Sequence, residues 1–413
     1  MTAVEVFLDR NGESVLVGRA HFTRMRSRIS TTFLYDPDYL VNGGTSIDPA
    51  LPLVSGAQHQ EGLVRAFADS APDRWGRNLI DKAERVSARE ERRVPRRLDD
   101  VDFLLGVSDN TRQGALRYRE QGSVEFVGRP SQVPRLISLP HLLRASDEIA
   151  SEANPATAVK QLLDTGSTGL GGARPKASVV LENGELAIAK FPHSSDQLDV
   201  MAWEATALDL LESVGIRTPT RRLVRVGERS VLILRRFDRT GLGHRIGYIS
   251  AMTALGAVDG DHRDYVEIAE AIRDLSLSPK ADHQELFVRV VGSVALCNTD
   301  DHLRNHGFPA YRGSWTLSPV FDVNPNPDYS QNRATSIVGA DAMPAEADAL
   351  LALAEECGLS LDVARARMRS ICMSLQSWKE RARLNGIRER EVEMMADSIQ
   401  PRLDAVITAA GKE

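Results

Sequence analysis

The sequence predicts an α+β protein whose strand-rich first portions lead into a mostly helical C-terminal lobe. Three observations carry that prediction. The N-terminal stretch "VEVFLDRNGESVLVGRAHF" alternates apolar and polar residues around Asn11-Gly12, the turn pair of a two-residue β-hairpin. Two later strand pairs, "ASVVLE" with "ELAIAKF" and "RRLVRV" with "SVLILRRF", surround Asn183-Gly184 and Gly227-Glu228. From residue 245 onward the pattern is mostly helical. Near its end Leu361, Ala364, Met368, Ile371, Leu375 and Trp378 recur at three- and four-residue steps.

The remaining elements follow in order. "TTFLYDPDYL" reads as a further strand, and "GLVRAFADSAPDRWGRNLIDKAERV" as helix interrupted by a turn at Pro72. This α+β unit closes near residue 125, where "EFVGRPSQVPRLISLP" supplies a proline-rich connection. A helix at "HLLRASDEIASEA" precedes the glycine-rich "DTGSTGLGGARPK", and the helix "LDVMAWEATALDLLESVGI" stops at Gly215. The apolar helical run "LFVRVVGSVALC" leads directly into "NTDDHLRNHGF", and "LSPVFDVNPNP" reads as a strand-like run ended by prolines. The expected domains are residues 1–125, 126–238 and 239–413, with no internal repeat or low-complexity run.

Composition narrows the class without giving a function. At 413 residues the chain is too long for one small core. Its 42% hydrophobic and 26% charged residues are ordinary for a soluble globular protein. No apolar stretch is long enough to span a bilayer, and the N-terminus has no signal-peptide core, so no membrane partner and a cytoplasmic location are expected. Cys297, Cys357 and Cys372 are far apart in apolar helical contexts, the pattern of reduced core thiols. A net charge of −6 argues against broad electrostatic binding of nucleic acid. The basic cluster "ERRVPRRL" reads as a solvated loop, given its interspersed acids and proline.

The order of glycine-rich turn, hairpin, helix, hairpin and then helices with polar motifs is that of a protein-kinase-like bilobal fold with an extra N-terminal α+β subdomain. Gly166, Gly169, Gly171 and Gly172 let backbone N–H groups approach phosphate oxygens, although a flexible linker has the same composition. Lys190 lies on the strand after the hairpin. On the next helix Glu204 falls between the apolar rows Met201, Leu208, Leu211 and Val200, Trp203, Ala207, Leu210. A carboxylate on a buried stripe needs a cation, and Lys190 is the expected partner, as in the strand-lysine to helix-glutamate pair of kinases. Asp300 and Asn305 stand at the kinase Asp-x-x-x-x-Asn spacing, with Asp301 one residue out of register. Asp322 is a candidate second acid. Mg²⁺ suits the oxygens of Asn305 and Asp322, whereas His302 and His306 alone make a poor zinc site.

Taken with "APDRWGR", "GGARPKA", "AIAKFP", "RRFDR", "DDHLRNHGF" and "LSPVFDVNP", the chain resembles the HipA family over nearly its whole length. That family comprises the kinase toxins of bacterial toxin–antitoxin pairs. The resemblance implies Asp300 as catalytic base, Asn305 and Asp322 as magnesium ligands, and Lys190 as the lysine that contacts ATP phosphates. It implies that Gly171, Gly172, Ala173, Arg174, Pro175 and Lys176 cover the nucleotide. The backbone of Arg235, Arg236 and Phe237 would meet adenine, with Asp238 and His302 near the ribose and phosphates. It further implies a helix-turn-helix antitoxin that brings the protein to operator DNA, and a protein substrate such as an aminoacyl-tRNA synthetase. Arg235 stands where the family often has glutamate. Gly169 aligns with the family's autophosphorylated serine, leaving Ser167 and Thr168 as the nearby hydroxyls.

The reading is therefore an ATP- and Mg²⁺-dependent serine/threonine kinase. Two alternatives stand beside it: a small-molecule kinase of the aminoglycoside-phosphotransferase type, and a non-catalytic partner that assists an antitoxin on DNA. The "GGARPK" and "SPVFDVNP" signatures weigh against the first alternative. The joint presence of Lys190, Asp300, Asn305 and Asp322 weighs against the second.

Overall fold

The computed structural model of the protein describes residues 2–25, 28–128, 132–151, 155–166, 174–311 and 313–412. The chain forms two compact units, each assembled from separated segments. One comprises Met1–Ser195, Val224–Ile249 and Pro309–Gly313, the other Asp196–Leu223, Ser250–Phe308 and Ser314–Glu413.

The first unit opens with β1 (Thr2–Arg10) and β2 (Glu13–Met25), joined at Asn11-Gly12. Both turn residues have positive φ, 54° and 91°, the geometry that matches the twist of the flanking strands. β3 (Arg28–Tyr35) follows. The strand expected over "TTFLYDPDYL" stops at Tyr35. Asp36 then accepts a hydrogen bond from the Asp38 N–H, and Pro37 opens the short helix α1 (Pro37–Val41), so the DP pair is a helix start. Between β4 (Ala57–Glu61) and β5 (Leu116–Glu120) in sequence lie α2 (Arg65–Asp69), α3 (Arg74–Glu90) and α4 (Asp100–Gly106), and the two strands complete an antiparallel sheet of order β4-β3-β2-β1-β5. Its core includes the edge-on aromatic contacts Phe33–Phe67 and Phe67–Tyr118, with ring centroids 5.9 and 5.4 Å apart. The basic cluster after α3 is a loop in which Arg93 and Arg96 both reach the buried Glu84 carboxylate.

Helices α5 (Leu139–Ser151) and α6 (Pro155–Asp164) precede the strands β6 (Lys176–Val180) and β7 (Leu186–Lys190). With β8 (Arg221–Val226) and β9 (Arg229–Arg235) these form a sheet of order β6-β7-β9-β8. The break expected near residue 125 does not separate two cores. Trp75 and Leu79 of α3 lie in one apolar cluster with Leu142, Leu162, Val179 and Ile233.

One buried ion pair links the quoted motifs "APDRWGR" and "GGARPKA". Asp73 caps α3 by accepting from the Gly76 N–H at 2.9 Å, and its other oxygen accepts from Lys176 Nζ at 2.9 Å. Trp75 Nε1 donates to the Lys176 carbonyl at 3.1 Å. Lys176 is 2% exposed. Breaking a buried ion pair by removing one member typically costs about 3–5 kcal/mol. Asp73→Ala is therefore expected to lower stability by about 3 kcal/mol or more in urea unfolding. Asp73→Asn keeps a capping oxygen and should cost less. A midpoint for Asp73→Ala equal to wild type would overturn this.

The second unit is helical: α7 (Val200–Ser213), α8 (Ala251–Ala254), α9 (Tyr265–Leu275), α10 (Pro279–Ala295), α11 (Ala345–Glu356), α12 (Leu361–Leu375), α13 (Trp378–Leu384) and α14 (Glu389–Gly411). α7 is buried nearly all round from Met201 to Leu211, as a helix apolar on most faces must be. A Cβ added at Gly292 of α10 would stand 2.5 Å from Leu211 Cδ2, so glycine permits the close approach of α10 to α7. The expected C-terminal stripe spans two helices. Ala364, Met368, Ile371 and Leu375 are buried on α12, Trp378 opens α13 against Trp203, and Leu361 is partly exposed. The strand-like run expected over "LSPVFDVNPNP" is not a strand, the preceding strand ending at Trp315. Beyond it the backbone donors of Leu317, Ser318 and Val320 go to Asp282, Gly307 and Arg217 in turn, which is no ladder. Among the described residues no helix is long and apolar enough to cross a membrane.

Candidate active site

The site begins at the buried end of α10. The Cys297 N–H donates to Val294 O at 3.1 Å and the Asn298 N–H to Ser293 O at 2.9 Å. That pair of bonds needs left-handed backbone at Cys297, where φ is 55°, a position usually held by glycine. The polar stretch after the helix is thus anchored in the core rather than loose on the surface.

The two adjacent aspartates have opposite environments. Asp301 is 7% exposed, and one of its oxygens accepts from Tyr265 OH at 2.5 Å and Ser293 Oγ at 3.1 Å. His306 Nε2 lies 3.2 Å from the other oxygen. Burial alone would raise the Asp301 pKa, but His306, Tyr265 and Arg333 outweigh it and hold the carboxyl well below the usual range. Asp300 faces solvent, and its carboxylate has no hydrogen-bond partner among the described residues. Partial burial pushes its carboxyl above the usual range. His302 pulls it down, and the charges of Asp322 and Asp301 push it up further.

Asp322 reaches this neighbourhood because its segment is pinned to the turn after α10. Asn326 N–H donates to Cys297 O at 2.8 Å, Asn324 N–H to Asn298 Oδ1 at 3.1 Å, and Asn326 Nδ2 to Thr299 Oγ1 at 2.8 Å. Asp322 itself has φ 59°, a strained value for a non-glycine residue of the kind that collects at functional sites. Asn305 is 6% exposed and donates from Nδ2 to the Asp300 carbonyl at 3.1 Å, leaving its Oδ1 for another partner. His302 is half-buried, and its Nδ1 has no hydrogen-bond partner among the described residues. Among the described residues no group of three His, Cys, Asp or Glu side chains is placed to hold a metal by itself. The donors at hand are oxygens of one or two carboxylates and an amide. That set fits Mg²⁺, which keeps several waters and shares substrate phosphates.

The other candidate residues lie in the first unit, apart from Glu204, which is 1% exposed on α7. Lys190 ends β7, is 8% exposed, and is the register partner of Lys176 on β6 and of Leu232 on β9. Pro175 is buried, and its carbonyl accepts from the Phe191 N–H at 2.9 Å; Arg174 beside it is half-buried. Lys176 is committed to Asp73. Arg235 turns its guanidinium to Glu185 at 2.5 Å, and Phe237 packs against Tyr248 with centroids 6.0 Å apart. The expectation that Asp238 stands near ribose and phosphates meets a carboxylate already occupied inside this unit. It accepts from Arg236 Nε at 2.8 Å, Arg236 Nη2 at 2.6 Å, Arg239 Nη1 at 2.9 Å and the Gly114 N–H at 2.8 Å. Ser167, Thr168, Gly171, Gly172 and Ala173 lie outside the described residues.

Several residues beneath the loop escape the sequence reading: Tyr265, Ser293, Arg333, Glu346 and Arg402. Arg333 donates to Ser293 Oγ at 2.7 Å and to Tyr265 OH and Glu346 Oε2 at 3.3 Å, and Arg402 pairs with the same glutamate. Arg402 stands on the apolar stripe Ile399, Leu403, Val406 of α14. The rule that singled out Glu204, a charge on a buried stripe, would have found it.

The protein is thus of the α+β class, with a loop that splits two adjacent aspartates between the core and solvent. The HipA-like C-terminal domain matches residues 168–379, and the HipA N-terminal domain matches residues 13–119. The chain belongs to the HipA family. Among solved structures, HipA of Shewanella oneidensis MR-1, in a complex with HipB and operator DNA, aligns over 98% of this chain and 96% of its own. The TM-score is 0.65 at 16% identity, a likeness of fold. The Helicobacter pylori proinflammatory kinase CtkA aligns over 59% of this chain and 94% of its own, with TM-score 0.45 and 18% identity. No curated protein sequence matches the chain.

The depressed pKa of Asp301 has a thermodynamic consequence. A carboxyl whose folded pKa lies below its unfolded value, about 3.9, adds stability above that value and loses it as pH falls toward the folded pKa. Asp301→Asn should therefore be clearly less stable than wild type at pH 7, with the gap shrinking below about pH 4. Thermal or urea unfolding across that range checks it. A gap that does not change with pH would contradict the assignment.

Proposed function

We propose that the protein is an ATP- and Mg²⁺-dependent kinase that transfers a phosphoryl group to a serine or threonine hydroxyl of another protein. The observation that carries the reading is the division of labour between the two aspartates. Asp301 is bonded into the core, while Asp300, one residue away, presents a carboxylate that accepts no hydrogen bond from the described residues and feels the charges of His302 and Asp322. A general base needs such a carboxylate within reach of the hydroxyl it deprotonates.

In this reading Asp300 accepts the hydroxyl proton and orients the nucleophile, and Asn305 Oδ1 and Asp322 hold Mg²⁺. The bound ion would neutralise charge on the ATP phosphates. Lys190 serves the phosphates, and the segment from Gly171 to Lys176 covers the nucleotide, Lys176 through its backbone because its ammonium is held by Asp73. The backbone of Arg235 to Phe237 meets adenine, with Asp238 bracing that segment and His302 near the phosphates. Family membership supports a toxin of a toxin–antitoxin pair, with a helix-turn-helix antitoxin as partner and DNA reached only through it. The Shewanella protein's complex with HipB and operator DNA supports the same reading. The substrate belongs to the translation apparatus, with an aminoacyl-tRNA synthetase as the leading candidate.

Two variants test the proposal with labelled ATP and a cell lysate. Asp300→Asn should keep its unfolding temperature and nucleotide binding yet lose transfer by about a hundredfold or more. Asp322→Ala should raise the Mg²⁺ concentration needed for ATP binding by about tenfold. Full transfer by Asp300→Asn, or an unchanged Mg²⁺ titration for Asp322→Ala, would overturn these roles.

A further inference from the structure

Many kinases complete their catalytic loop only after a residue in the segment following the metal-binding aspartate is phosphorylated, because the new phosphate pairs with an arginine. In this protein the corresponding segment follows Asp322, and it already carries its own arginine and meets its own carboxylate. Arg333, 4% exposed, reaches Glu346 at the start of α11, and both Tyr265 OH and Ser293 Oγ, the two groups that also hold Asp301. Glu346 is 0% exposed and is shared with Arg402 of α14, itself 1% exposed. Two carboxylates, Asp301 and Glu346, thus stand against two guanidinium groups, with His306 also beside Asp301.

The rest of the segment is stitched to the same place. Ala334 N–H donates to Thr299 O at 2.8 Å, and Thr335 Oγ1 donates to Asp301 O at 2.7 Å. Thr335–Ser336 pairs in parallel with Arg263–Asp264. The Asp264 carboxylate, which caps α9 just before Tyr265, accepts from Ser336 Oγ at 2.6 Å, Gly339 N–H at 2.8 Å and Val338 N–H at 3.1 Å. A phosphate on Ser336 would stand against the Asp264 carboxylate that its hydroxyl now donates to, a like-charge contact.

We propose that Arg333 and Tyr265 are positioning residues that fix the Asp300 loop through Asp301, with Glu346 as a built-in substitute for an activating phosphate, so that the kinase is assembled without modification of this segment. The proposal rests on the kinase reading above. A loop displaced by a fraction of an ångström loses catalytic alignment before it loses nucleotide binding.

Tyr265→Phe removes one hydroxyl and keeps the ring, and Arg333→Lys keeps the charge and loses the fork. Both should unfold within a few degrees of wild type and hold the ATP KM within about twofold. Their kcat should fall by about tenfold. Wild type treated with a protein phosphatase should keep its full kcat. Folded variants with wild-type kcat, or loss of activity on phosphatase treatment, would overturn the inference while leaving the kinase reading intact. If Arg333→Lys fails to fold, the near-isosteric Tyr265→Phe decides. A wild type that transfers no phosphate at all would instead overturn the kinase reading, and this inference with it.

Discussion

The helical unit is organised around a buried negative charge. Asp301 cannot stay ionised in the interior unless every lone pair and the charge itself are met. Tyr265, Ser293 and His306 meet the carboxylate, and Arg333 supplies positive charge behind the first two. Those partners come from α9, α10, the loop itself and the segment after Asp322, so satisfying one carboxylate fixes four pieces of chain. Glu346 and Arg402 extend the arrangement into α11 and α14. The position of Asp300 follows from that of its neighbour.

The first unit uses the same device with different partners. Asp73 joins the start of α3 to Lys176 on β6, and Asp238 gathers Arg236, Arg239 and the Gly114 N–H. Arg112 is buried with its guanidinium on the carbonyls of Ser70, Leu104 and Val107, and desolvation brings its pKa down to about 10. Arg236 and Arg239 donate in turn to the Thr111 and Arg112 carbonyls. Two stretches about 125 residues apart in sequence, residues 111–114 and 236–239, are therefore clamped by polar bonds. Such a clamp tolerates little slack, because a displaced guanidinium leaves buried groups unpaired.

Two residues with strained backbone sit where these constraints meet. Cys297 takes a left-handed turn at the end of α10, and Asp322 takes another where the segment pinned to that turn begins. Neither residue is glycine, so each costs free energy that the surrounding bonds must offset. The two turns bring the mostly buried loop after α10 and a second acid into one neighbourhood.

By itself the sequence determined the pieces whose cause is local. Asn11-Gly12 set the first hairpin, Gly215 ended α7, and the spacing of Ala364, Met368, Ile371 and Leu375 marked α12, because turn chemistry and helical period act over a few residues. The motifs also carried the family, which the domain matches to residues 13–119 and 168–379 bear out. Short-range pattern misjudged "DPDYL", where capping by Asp36 outweighs strand propensity, and "LSPVFDV", whose backbone donors find scattered partners. The division of the chain was hidden for another reason: Trp75 of α3 joins a core built largely from residues beyond 138, a contact no local signal announces. Only the tertiary structure decided which of two adjacent aspartates is buried. Asp300 and Asp301 are chemically identical in the sequence, and the choice between them is made by Tyr265, Ser293, His306 and Arg333, which reach the site from separate segments of the chain.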